Sequence, residues 1–150
     1  NRQIVASMMD ASYVTMFYAE FDERSSMLFY TNAGHNPPLL VRKQGKGMRA
    51  QVERLDRGGT VLGLFREAEY EEVETRFDSG DLLVAFSDGL VEANDPQGKE
   101  FGEERLIPLL EHFSDLSATE IEHLVLQAVR EWTAGAEQED DLTLVVVKRS

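Results

Sequence analysis

At 150 residues, with 15 basic and 28 acidic side chains and a formal charge of −13, the chain is long enough for one domain and too acidic to grip nucleic acid through its phosphates. No cysteine occurs, which excludes disulfide frameworks and thiolate zinc sites and makes a reducing compartment, the cytoplasm, the expectation. No apolar run approaches the roughly 20 residues that span a bilayer, and Asn1-Arg2-Gln3 opens no signal-peptide pattern, so no membrane insertion is expected.

The chain opens inside a helical pattern, with Ile4, Val5, Met8 and Met9 at helical spacing, as in a chain cut from something longer. From Tyr13 the pattern turns strand-like through Val14, Met16, Tyr18 and Phe21. The polar Asp22 to Ser26 turn then leads into a second strand, Met27 to Thr31, so the two are expected to form an antiparallel hairpin. Asn32-Ala-Gly-His-Asn-Pro-Pro38 must be a shaped loop, because Gly34 permits a positive φ and Pro37-Pro38 stiffens the entry to the strand Leu39 to Val41. His35 has two readings: a loop histidine bonded to nearby backbone, or a proton-transfer or ligand-contacting group, the work for which imidazole is best suited near neutral pH.

Lys43 to Gly47 reads as a hairpin tip and Gln51 to Leu55 as its return strand. Arg57 to Leu64 is glycine-rich but lacks the spacing and the lysine of a phosphate loop, and reads as a bend. Tyr70 to Phe77 is an imperfect strand pattern bordering solvent.

The stretch Phe77 to Ala93 organises the rest. Asp81 to Phe86 is a continuous apolar run after an Asp-Ser-Gly turn, as expected of a central strand, and it ends abruptly in Ser87-Asp88-Gly89. Asp88-Gly89 between apolar segments is a strong hairpin signal. It also holds a carboxylate at the rim of a rigid strand, a place suited to a metal ion. Glu139-Asp140-Asp141 stands directly before a second buried-strand pattern, Leu142 to Val147, so two strand ends could bring their carboxylates together.

Between them, Asn94 to Lys99 is a turn by composition. Glu103 to Leu110 reads as a helix with Leu106, Leu109, Leu110 and Phe113 on one side, although Pro108 removes one backbone bond. Ser117 and Glu120 form a capping box ahead of Ile121, Leu124, Val125, Ala128, Val129 and Trp132, a core-facing stripe, and Gly135 suits the helix stop.

Taken together, Tyr13 to Phe17, Asn32 to Pro38, Leu62-Gly63-Leu64, Gly80 to Leu83, Phe86-Ser-Asp-Gly89 with Glu92-Ala93, Phe101-Gly102 and Asp140-Asp-Leu-Thr143 resemble the SpoIIE-like, RsbU-like branch of the metal-dependent PPM serine/threonine phosphatases. The resemblance runs nearly the whole chain, residues 1–150. It implies an α+β fold, an antiparallel β-sandwich flanked by helices, and a binuclear Mn²⁺ or Mg²⁺ site at one end. Asp88 and Asp140 match its metal-ligand positions, with Gly89 as the supporting turn and Asp141 as a support behind the ligands. Asn32 and His35 are candidate near-site residues. Hard carboxylate oxygens suit these cations, and a metal pair activates water while neutralising phosphoryl oxygens.

The family's leading Gly-Asp and Asp-x-x-Gly-Lys-Gly motifs are absent from these residues, so the chain is expected to be an N-terminally truncated domain lacking its first strands and to have little or no activity alone. The resemblance implies, for the parent protein, removal of phosphate from a regulatory phosphoprotein of the anti-anti-sigma type in bacterial signalling. The alternative is a non-catalytic, truncated or degenerate module that binds a partner through the same face. An unpaired sheet edge further predicts a homodimer or strand swap through Tyr13 to Thr31.

Overall fold

The computed structural model describes residues 1–7, 12–45, 48–134 and 140–150. Met8 and Met9 of the first helical pattern, the Lys46-Gly47 tip, the Gly135 stop and Glu139 therefore lie outside the described residues. The chain divides into two compact units, one of residues 1–37 and 55–77, the other of residues 38–54 and 78–150. The elements are mixed α and β, as expected.

In the first unit a short exposed helix, α1 (Arg2–Ser7), precedes a sheet built on β1 (Met16–Asp22) and β2 (Met27–Ala33). These two pair antiparallel from Met16 opposite Ala33 to Asp22 opposite Met27, the predicted hairpin. Its turn is closed by Asp22, whose carboxylate accepts from the Arg24 amide at 3.1 Å and the Ser25 hydroxyl at 2.5 Å. The alternation of β2 buries Leu28, Tyr30 and Asn32 on one face, where Tyr30 stacks on Phe17 and Phe21 meets Phe77 edge to face. β1 pairs with β2 alone among the described strands and carries exposed Met16 and Tyr18.

The Arg57 to Leu64 segment is more than a bend. Gly58 and Gly59 form β5 (Gly58–Gly59), a two-residue parallel pairing against Asn32 and Ala33. Gly58 has φ +152°, and a Cβ there would lie 2.3 Å from the Asn32 carbonyl oxygen, so the close approach requires glycine. The imperfect strand pattern becomes β6 (Val73–Arg76), antiparallel to β2; Val73 and Phe77 are buried, while Glu74 and Arg76 stay exposed.

The second unit holds the larger core. β3 (Leu39–Arg42), β4 (Gln51–Arg54), β7 (Leu82–Phe86) and β8 (Leu144–Lys148) form an antiparallel sheet in the order β4-β3-β7-β8, so the Phe86 strand is interior to its sheet as expected. After a single-turn helix, α2 (Asp88–Val91), come α3 (Glu103–Phe113) and α4 (Ala118–Thr133). Leu39, Val41, Leu82, Val84 and Phe86 from the sheet pack with Leu106, Leu110, Ile121, Val125 and Val129 from the helices. Each such side chain contributes about 1.5–3 kcal/mol by leaving water.

The structure refines the sequence reading at several places. Asp81 is not part of the strand. It is 3 % exposed, and its carboxylate accepts from the amides of Lys43 and Asp78, both at 2.9 Å, with Arg42 at 3.7 Å, so it ties the turn before β7 to the end of β3. β8 starts two residues later than the apolar pattern: Leu142 packs against the core, and the Thr143 amide donates to the Ser87 hydroxyl instead of entering the strand. The expected helix is present, α3 running through Pro108, with Pro108 and Glu104 both exposed at the turn where one backbone bond is missing. Trp132 is only half-buried. Its indole N–H donates to the Lys99 carbonyl at 3.0 Å and the Arg105 guanidinium lies 3.7 Å from the ring centroid.

The capping box of α4 is present in both directions: Ser117 Oγ accepts from the Glu120 amide at 3.3 Å, and Glu120 Oε2 accepts from the Ser117 amide at 2.8 Å. The Ser117 hydroxyl also donates to Glu120 Oε2 at 2.6 Å, and that bond first and the one from the Ser117 amide second hold the Glu120 carboxyl below its ordinary value of 4.5. A depressed carboxyl stabilises the fold above its unfolded value, and the contribution disappears as pH falls through the folded one. Ser117→Ala is therefore expected to lower the melting temperature by about 2–4 °C at pH 7. The gap to the parent chain should narrow in melts recorded below pH 4.5. A gap that does not change with pH would remove the reciprocal bond from the account.

Candidate metal centre

β7 and β8 are antiparallel neighbours in a register that places Phe86, the last residue of one, opposite Leu144, the first of the other. Whatever follows Phe86 and whatever precedes Leu144 must then share one rim of this unit. The Ser87 amide donates to the Thr143 carbonyl at 3.1 Å, carrying the ladder one step past the strands. Ser87 Oγ donates to the Asp141 carbonyl and accepts from the Thr143 amide, both at 2.9 Å.

Asp88 then starts α2 in place of a hairpin; no strand follows it, and the hairpin reading of Asp88-Gly89 is corrected accordingly. The short helix is anchored by Leu90, which is fully buried, and a carboxylate at its first position suits the unpaired amides there. Gly89 is buried against the other chain segment. A Cβ at that position would come 2.6 Å from the Asp141 carbonyl oxygen, 3.0 Å from its carbonyl carbon and 3.3 Å from the carbonyl carbon of Asp140. The absence of a side chain at Gly89 is thus what lets the Asp88 turn and the Asp140-Asp141 turn lie against each other.

Both aspartates are exposed and built alike: Asp88 Oδ1 accepts from the Gly89 amide at 3.1 Å, and Asp140 Oδ1 accepts from the Asp141 amide at 2.7 Å. Asp141 touches Ser87 through its backbone carbonyl, and its own carboxylate is exposed. Two carboxylates supported from the backbone at one rim fit a hard divalent cation in kind. In number they supply part of a site, since no group of three or more His, Cys, Asp or Glu side chains able to hold a metal occurs among the described residues.

Asn32 and His35 belong to the first unit. The Asn32 side chain is committed to the loop: its amide donates to the carbonyls of His35 at 3.0 Å and Leu55 at 3.1 Å, and its oxygen accepts from the His35 amide at 2.8 Å. At 2 % exposure it shapes the backbone that presents His35. His35 Nδ1 lies 3.3 Å from Thr15 Oγ1, and the ring is half-buried.

Sequence reasoning passed over Ser87. A serine directly before a helix-opening aspartate normally signals an N-cap, and its N-cap position could have been read from the sequence; its bonds across to residues 141–143 could not.

The family model for Stage II sporulation protein E matches residues 1–150, the whole chain. The chain belongs to the SpoIIE family. Within it the chain falls in the SpoIIE/RsbU-like branch of the PPM phosphatases. It is 29 % identical over 149 residues to the phosphoserine phosphatase RsbU of Bacillus subtilis, covering 98 % of this chain and 42 % of RsbU. The SiaA PP2C domain of Pseudomonas aeruginosa superposes with a TM-score of 0.78 at 18 % identity, over 99 % of this chain and 57 % of that one. The SpoIIE phosphatase domain of Bacillus subtilis, from crystals presoaked with Mn, superposes with a TM-score of 0.63 at 22 % identity, over 98 % of this chain and 62 % of that one. This SpoIIE-family chain spans less than half the length of the curated relatives it matches. Among its described residues no helix is long and apolar enough to cross a membrane.

Proposed function

We propose that the protein is a metal-dependent serine/threonine phosphatase in which Asp88 and Asp140 are ligands of Mn²⁺ or Mg²⁺ and the substrate is a phosphorylated regulatory protein of the anti-anti-sigma type. The observation that carries this reading is the contact of Gly89 with the Asp140-Asp141 backbone, which draws two exposed carboxylates to one rim of a rigid sheet. Homology to RsbU, named a phosphoserine phosphatase, supports the reaction class.

When bound, the cations would supply an activated water and neutralise phosphoryl oxygens. The chain's own part is to present carboxylate oxygens from backbone that is already fixed. β7 and β8 set the separation of the two turns, and the buried Leu90 keeps α2 from rotating Asp88 away. Asp141 supports the turn through its carbonyl bond to Ser87. His35, held in the first unit by Thr15 and by the Asn32 clamp, is a candidate for proton transfer or ligand contact.

A second reading, a non-catalytic module that binds a partner, is favoured by one observation: the described residues provide no three-ligand cluster. The two readings part in one experiment. The full-length protein is expected to release phosphate from a phosphoserine protein substrate with Mn²⁺ or Mg²⁺ present and to stop in excess EDTA. Undiminished turnover in EDTA would overturn metal dependence, and no turnover in either condition would favour the binding module.

A further inference from the structure

We infer that Ser87 is a positioning residue for the metal centre, its hydroxyl being the strut that sets the register of the Asp88 turn against the Asp140-Asp141 turn. The inference rests on the metal-dependent reading above, in which Ser87 enters only as the partner of the Asp141 carbonyl.

Ser87 is the N-cap of α2, with extended backbone at φ −82° and ψ 165°, yet its side chain makes no capping bond. A serine in that place ordinarily turns its oxygen onto an amide two or three residues ahead. Here the oxygen is diverted to the other chain segment, donating to the Asp141 carbonyl and accepting from the Thr143 amide. The Ser87 amide continues the ladder to the Thr143 carbonyl, and the reciprocal bond of that pair, from the Thr143 amide, goes to the Ser87 hydroxyl in place of its carbonyl, while the bond to the Asp141 carbonyl lies outside the ladder altogether.

The three bonds together fix the residue before Asp88 to the residues after Asp140. Gly89 sets how closely the two turns approach and Ser87 sets their register, so the carboxylates hold their spacing before any cation arrives. Groups that orient metal ligands from behind typically change metal affinity by about 10–100-fold when removed. A hydroxyl with both a donor and an acceptor role is the smallest side chain that can do this at the site.

The test uses the full-length protein stripped of metal, with Mn²⁺ binding followed by isothermal titration and folding followed by melting in EDTA. Ser87→Ala is expected to weaken Mn²⁺ binding by about 10-fold or more while turnover at saturating Mn²⁺ falls much less. Ser87→Thr, which keeps the hydroxyl, is expected to restore binding to within about threefold of the parent, below the loss typical of a missing orienting group. If the alanine variant does not fold, Ser87→Cys, nearly isosteric and a weak donor, takes its place with an intermediate loss expected. Wild-type Mn²⁺ affinity in the alanine or cysteine variant, alongside weakened binding in Asp88→Asn, would overturn the role of Ser87 and leave the phosphatase reading intact. Absence of Mn²⁺ binding in the parent protein would overturn both.

Discussion

Asp88→Asn is expected to abolish most phosphatase activity of the full-length protein at low Mn²⁺ while leaving the metal-free fold about as stable as the parent. Asparagine is nearly isosteric and keeps an oxygen that can accept from the Gly89 amide, as Asp88 Oδ1 does at 3.1 Å. What it removes is one negative charge from the rim that Asp140 shares. Without metal, losing that charge relieves repulsion from Asp140 and weakens the favourable interaction with the helix-opening amides, so the two small terms oppose each other and the fold changes little. With metal it is a ligand charge, and its loss should exceed the roughly 10–100-fold typical of groups one shell further out. The paired measurement is melting in EDTA and phosphatase rate against Mn²⁺ concentration. Activity near that of the parent at low Mn²⁺ would reduce Asp88 to a helix-opening residue and take the proposed mechanism with it.

The features legible in the sequence were those written into neighbouring residues. The β1 and β2 hairpin follows from alternation on either side of a charged turn, and the α4 capping box from Ser117 and Glu120 three residues apart. The Phe86 strand announces itself by composition, and Asp88 and Asp140 stand out because each abuts an apolar run. Features decided by distant partners were not legible. Asp81 looks like the first residue of a strand until Lys43 and Asp78 are seen to donate to its buried carboxylate. Gly58-Gly59 looks like a bend until Asn32 is found alongside it. Leu142 and Thr143 fit the strand period, yet Thr143 is drawn off to Ser87, 56 residues away. In the same way Asn32 proved to be a clamp on the His35 loop, a role that only its three bonds reveal.

Gly89→Ala is expected to have the second large effect, and two opposing terms decide its sign. Gly89 lies in α2, so alanine should stabilise the helix by up to about 1 kcal/mol through lower backbone entropy in the unfolded chain. Against this, the added Cβ would sit 2.6 Å from the Asp141 carbonyl oxygen and 3.3 Å from the Asp140 carbonyl carbon. These are backbone atoms, which cannot swing aside as a side-chain tip can, and overpacking of this kind costs about 1–3 kcal/mol. The clash wins, most directly by pushing the Asp140-Asp141 turn away from Asp88. The variant should therefore melt lower in EDTA and bind Mn²⁺ more weakly, with the loss of metal affinity larger than the drop in melting temperature alone explains. Combining it with Asp88→Asn checks the mechanism, because both changes act on the same pair of turns and their effects on affinity should fall short of additive. An alanine variant that melts and binds like the parent would mean that the two turns do not depend on their contact at Gly89 for the spacing of their carboxylates.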